Sequence, residues 1–153
     1  MTALFALVLI AVAPVAASAH CQVPCGIYDD AARIARLYED AATIEKAMIQ
    51  MTELAGHVDA QGLNQFSRWV ATKEQHAANV IAVMSEYFLA QKVKPVAAGD
   101  DGYEAYLAKL ADHHAVMVAA MKCKQKAHTD YAETLRSAID ALAKHYDTEH
   151  LHR

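Results

Sequence analysis

The chain has 153 residues, with 14 Lys and Arg against 18 Asp and Glu, for a formal net charge of -4. That length fits one domain with a core large enough to need no disulfide staples, and the mild acidity without any basic block argues against a nucleic-acid or anionic-membrane partner. Three cysteines are an odd number, so at least one thiol stands outside any intramolecular disulfide, and Cys123 is the outlier by position.

Residues 1–19 read as an export signal. They carry no charge, contain the apolar run Ala3 to Ala13, and end in Ala17-Ser18-Ala19, the small-x-small pattern that a signal peptidase accepts. The run is interrupted by Pro14 and is shorter than the ~20 residues of a spanning helix, so an uncleaved anchor is the weaker reading. The organisation is then a signal peptide over 1–19 and a single domain over 20–153 that begins at His20. The product is exported, periplasmic or extracellular, and free of the membrane once the signal is removed.

Beyond residue 28 the pattern is helical throughout. Asp29 or Asp30 caps a first helix whose apolar residues recur as Ile34, Leu37, Ala41, Ile44, Met48, Met51 and Ala55, with Gly56 as the stop. Asp59 opens a second, with a seam of Leu63, Phe66, Val70, Ala77, Val80, Met84 and Tyr87 that Lys73 interrupts with a charge; its end is expected near Ala90. Gln91 to Gly102, holding Pro95, Gly99, Asp100 and Asp101, is the long linker. Tyr103, Leu107, Leu110, His114, Met117 and Met121 suggest a third helix, and Tyr131, Leu135, Ala138, Leu142 and Tyr146 a fourth capped by Thr129 or Asp130. A break between the last two is expected in the polar stretch Lys122 to His128. The fold class is all-α, an antiparallel four-helix bundle preceded by an N-terminal metal-binding hook over residues 20–28.

The hook is HCQVPCGIY, His20 to Tyr28. If His20 is the first residue, its free amine, its imidazole, the backbone nitrogen and thiolate of Cys21, and the thiolate of Cys25 are all donors within six residues. Two nitrogens and two sulfurs in a plane suit a d⁸ ion such as Ni(II), whereas Zn(II) takes thiolates tetrahedrally and rarely accepts a backbone amide. Pro24 and Gly26 can turn the segment back on itself. A Cys21–Cys25 disulfide on a purely structural bundle is the competing reading in an oxidising compartment.

HCQVPCGIY resembles the nickel hook of nickel-dependent superoxide dismutases, with the pattern H-C-x-x-P-C-G-x-Y complete directly after a cleavage site; KEQH (Lys73 to His76) and SEYF (Ser85 to Phe88) resemble family segments more loosely. The resemblance implies that the amine of His20 with the amide and thiolates of Cys21 and Cys25 hold nickel in a plane. The His20 imidazole would join axially in the oxidised state, with Tyr28 over the open face and Tyr87 behind it. It also implies conversion of superoxide to oxygen and hydrogen peroxide by Ni(II)/Ni(III) cycling in a homohexamer of bundles. Gln22 stands where the family often has Asp, and Ala35 and His76 stand where it has the Glu and Arg that orient the axial imidazole. The alternative function is an exported metal-binding or nickel or copper delivery module without redox turnover.

The other candidate ligands are set aside. His113 and His114 are adjacent on one helix, about 100° apart, and are read as surface or core-edge residues. His145, His150 and His152 are assigned to a frayed tail, Cys123 to an unpaired thiol near a helix end, and Trp69 with the Met positions to core or subunit interface.

Overall fold

The computed structural model describes residues 27–147, and all regular structure among them is helical. The expected signal peptide over 1–19 and the expected metal ligands His20, Cys21 and Cys25 lie outside the described residues. Helix α1 spans Asp30–Leu54, α2 Ala60–Ala82, α3 Tyr103–Gln125 and α4 Asp130–Ala143, with a π-helical segment over Val83–Lys92 continuing α2.

The first two helices begin where local chemistry dictates. Asp29 caps α1, its Oδ1 accepting from Ala32 N at 2.8 Å, and Asp59 caps α2, its Oδ1 accepting from Gly62 N at 2.7 Å. Each satisfies an orphan amide of the first turn. Gly62 is required by closeness: a Cβ there would lie 2.4 Å from the carbonyl oxygen of His57. Gly102, at φ 88, caps α3 with a left-handed backbone that a side chain would strain. The break between α3 and α4 falls at Lys126 to Thr129, overlapping the expected polar stretch and ending one residue beyond it.

Successive helices run antiparallel and close a ring. Tyr87 with Asp30 and His76 with Asp40 join α1 to the second helix in opposite directions; Cys123 with Tyr131 and His113 with Tyr146 do so for α3 and the last helix. Tyr38 to Asp140 at 2.7 Å and Arg136 to Glu45 at 2.6 Å return α4 to α1. The core is the buried set centred on Ile34, Leu37, Ile44, Met48, Val80, Met84, Phe88, Val116, Leu135, Ile139 and Leu142. Large-to-alanine changes at such positions cost about 2–5 kcal/mol.

Three expectations are corrected. The second helix ends at Lys92, near the expected Ala90, but its last ten residues are π-helical and not α-helical, with Val93 N–H bonding Phe88 O at 2.8 Å, five residues back. The wider turn brings neighbours in sequence inward together: Val83 with Met84, and Tyr87 with Phe88. Lys73 does not interrupt the seam. It is buried and donates from Nζ to Cys123 O at 2.7 Å and Lys124 O at 2.6 Å, satisfying carbonyls that the end of α3 leaves open.

The third correction concerns helix faces. On α3 the buried stripe is His113, Val116, Ala119, Ala120 and Cys123, while Leu107, His114 and Met121 face outward. Small alanines let the neighbouring helices approach closely, and His113 is tolerated inside because both ring nitrogens are hydrogen-bonded. At the start of α2, Leu63 is likewise exposed, because this turn extends past the end of the core.

Candidate functional site

Chain entry into the bundle fixes which end matters. Ile27 and Tyr28 precede α1, so the hook motif joins the bundle at the end where the π segment finishes, α3 begins and α4 closes. The ring of Tyr28 sits edge-on to that of Tyr87, centroids 5.9 Å apart and planes at 72°. The structure therefore brings together the two tyrosines that the sequence singled out, although one lies before α1 and the other in the π segment.

Around the pair is a cluster that the sequence reading missed. Tyr87 donates its phenolic hydrogen to Asp30 Oδ1 at 2.7 Å, Lys92 Nζ lies 3.1 Å from Asp30 Oδ2, and the same ammonium sits 4.5 Å over the Tyr28 ring. Arg33 stacks over Tyr87 at 4.9 Å. Asp30 thus joins both aromatic residues, one by hydrogen bond and one through Lys92. Burial, followed by the hydrogen bond to Asp30 and that residue's charge, pushes the Tyr87 phenol far above its ordinary pKa, so it keeps its proton and acts as a donor. Asp30 read as a cap and Lys92 as a linker residue; no local pattern marks either, because their meeting depends on the docking of α1 against the π segment.

A groove of about 320 Å³ opens beside the cluster, lined by Lys92, Lys94, Tyr106, Lys109 and His145 among others. Three ammonium groups at this end give an overall acidic chain a locally positive rim. His145 is not in a frayed tail: its Nε2 lies 2.6 Å from Asp112 Oδ2. His150 and His152 lie outside the described residues.

The remaining candidates fall elsewhere. His76 Nδ1 meets the buried Asp40 Oδ1 at 2.5 Å, and Asp40 stands ten residues along α1 from Asp30, about 15 Å at the helical rise. Within the chain His76 is therefore paired away from the tyrosines, and the methyl of Ala35 offers no hydrogen bond. Cys123 is fully buried and donates to Tyr131 O at 3.3 Å; burial pushes its thiol up to about 11, which makes it an inert core residue and not a reactive thiol. His114 is exposed as read, whereas His113 is a core residue and not a surface one. Among the described residues no group of three or more His, Cys, Asp or Glu is placed to hold a metal ion, and no helix is long and apolar enough to cross a membrane.

Neither the curated proteins nor the solved structures searched contain a match to this chain. The family model described as nickel-containing superoxide dismutase matches residues 15–150, which takes in the hook motif, all four helices and both tyrosines. The chain belongs to the nickel-containing superoxide dismutases: it is an oxidoreductase that uses nickel to dismute superoxide.

Proposed function

We propose that nickel is held by His20, through its amine and imidazole, and by Cys21 and Cys25, and that superoxide is turned over against the Tyr28–Tyr87 face. The observation that carries this reading is the position of Tyr28, three residues after Cys25 and packed on a buried tyrosine whose proton is fixed. The donor set fits the ion: the thiolates of Cys21 and Cys25 with an amide and an amine would supply the sulfur and nitrogen donors that nickel favours, and Cys123, the only described cysteine, is withdrawn into the core. When bound, nickel supplies the one-electron cycle between two oxidation states that dismutation requires.

The protein's own residues supply position and protons. Tyr28 packs edge-to-face with Tyr87 while the Lys92 ammonium lies 4.5 Å from its ring centroid, so both neighbours hold the ring in place. Lys92, Lys94 and Lys109 draw an anionic substrate to this end. Peroxide leaves with two protons; Lys92 Nζ, paired with Asp30, holds exchangeable protons beside the site, while the Tyr87 hydroxyl keeps its own and holds Asp30 in place.

Processing and assembly belong to the same reading. Cleavage after Ala19 creates the amine of His20, so export and site assembly are one event, and the mature protein acts in a periplasm or outside the cell. Leu107, Val118 and Met121 form an exposed apolar stripe on α3, which supports a homo-oligomer; a hexamer is proposed from the family resemblance. The test is to prepare the chain starting at His20 and the same chain with one Ala added, load both with nickel, and measure superoxide decay and the Ni(III) paramagnetic signal. The extended chain is expected to lose both; equal activity would remove the amine from the ligand set.

A further inference from the structure

The rings of the site do not end at Tyr87. Tyr87 is edge-on to Phe88 with centroids 4.9 Å apart, Phe88 lies 4.7 Å from Tyr146, and His113 packs against both Phe88 and Tyr146 at 5.5 and 5.8 Å. An unbroken line of touching aromatic rings therefore runs from Tyr28 to the turn after α4. Nothing in dismutation uses its far end.

That far end is built as a proton-coupled redox pair. His113 Nδ1 is 2.7 Å from Lys109 O, a carbonyl that can only accept, so Nδ1 carries the hydrogen. Burial holds His113 neutral, which leaves Nε2 with a free lone pair. The Tyr146 hydroxyl, 2.8 Å away, must donate to it. A phenol hydrogen-bonded to a neutral imidazole can lose an electron and hand over its proton in one motion, with no charged phenol radical formed. Tyr146 is also only partly buried, whereas Tyr87 is completely enclosed, so a small reductant can reach Tyr146 and not Tyr87.

We propose that Tyr146 and His113 form a discharge site, and that the line Tyr28–Tyr87–Phe88–Tyr146 carries oxidising equivalents away from the hook when a peroxide-derived radical strikes there. The balance is as follows. Hydroxyl radical takes one electron from Tyr28 and becomes hydroxide, while the Tyr28 phenol releases its proton and becomes a neutral phenoxyl. Tyr146 then sends one electron through Phe88 and Tyr87 to Tyr28, which regains a proton from water, and the Tyr146 proton moves to His113 Nε2. A diffusible one-electron reductant of the ascorbate class returns the electron to Tyr146, and His113 returns the proton. The hook thiolates, which climb an irreversible ladder once oxidised past sulfenic acid, are spared.

The inference rests on oxidants arising against Tyr28, and the first arm of its test is independent of nickel. In the full mature chain carrying Cys21→Ser, a ruthenium bipyridyl photo-oxidant is coupled to Cys25; Cys123, buried with its thiol pKa raised, escapes labelling. After a flash in the presence of an electron acceptor, the tyrosyl radical is trapped and read by paramagnetic resonance. The expected result is a Tyr146 radical hydrogen-bonded to imidazole, lost in Tyr146→Phe and altered in His113→Gln. Tyr146→Phe keeps the ring and removes one hydroxyl, so folding, checked by circular dichroism, is expected to survive. In a second arm, nickel-loaded wild type and Tyr146→Phe with the native hook are assayed for dismutation and then given hydrogen peroxide. Initial activity is expected to be equal, and the variant is expected to show severalfold more oxidised Cys21 and Cys25 by peptide mass spectrometry. A radical that stays on Tyr28 or Tyr87 in the labelled chain, or the same signal with and without the Tyr146 hydroxyl, would overturn the proposal. Absence of dismutation with a normal Tyr146 radical would instead strike at the nickel site.

Discussion

Tyr87 and Asp30 meet at 2.7 Å, phenol donating to carboxylate, although 57 residues separate them in the chain. The same carboxylate takes Lys92 on its other oxygen, and Lys92 covers Tyr28. Asp30 is thus the joint through which the first turn of α1 orients both tyrosines at the hook end.

Replacing Tyr87 by Phe should leave the helical content intact, cost about 0.5–1.5 kcal/mol of stability through the lost hydrogen bond to the partly exposed Asp30, and lower kcat for superoxide. Asp30→Asn keeps an acceptor for the phenol but loses the ion pair, so it should disturb Lys92 and Tyr28 more than Tyr87. Chemical denaturation beside pulse-radiolysis kinetics checks both. Unchanged kinetics in both variants would show that the cluster is structural only.

Lys92→Met removes one positive group from the groove and the cation from the Tyr28 ring. Its kcat/KM should fall by a factor of up to about ten at low salt, and the slope of rate against ionic strength should flatten, because the loss lies in electrostatic encounter. Lys92→Arg should restore much of the rate.

Cys21→Ser and Cys25→Ser should each abolish nickel binding and dismutation while circular dichroism stays that of the native bundle, because the described core is closed by side chains of the helices themselves. Metal analysis decides this, and full activity in either variant would remove that thiolate from the metal site.

Lys73→Ala should destabilise the fold by about 1–3 kcal/mol without touching nickel content, since it leaves the carbonyls of Cys123 and Lys124 without their buried donor. Thermal unfolding of the nickel-free protein isolates this effect.

Alkali should unfold the protein before any change in acid does so through these groups. Folding raises the pKa of Cys123 from 9.0 to about 11 and that of Tyr38 from 10.0 to about 12, in each case mainly through burial. A raised pKa means the folded state holds the proton more tightly. The contribution is complete below the ordinary value and is lost as the unfolded chain ionises, so stability should decline from about pH 9 to 12. Denaturation midpoints across that range check the sign; Cys123→Ala should flatten the lower part of the decline.

What the sequence determined by itself was whatever depends on neighbours along the chain. Caps at Asp29 and Asp59, the seam of α1, the break before α4 and the all-helical class follow from side chains acting within a turn or two of their own position. The H-C-x-x-P-C-G-x-Y motif is legible for the same reason: its candidate ligand types crowd into six residues, and the family match over 15–150 spans it. Only the tertiary structure decided which face of α3 is buried, because Leu107 and Met121 satisfy helical periodicity as well as Val116 and Ala120 do, and close packing selects the small residues. It alone turned Lys73 from an interruption into a buried donor, since the carbonyls it serves lie 50 and 51 residues away. Asp30, Lys92, His113 and Tyr146 acquired their roles in the same way. The π segment widens the last turns of the second helix so that Tyr87 faces Asp30 while Phe88 faces Tyr146, and a change in turn width at adjacent residues leaves no mark in apolar spacing.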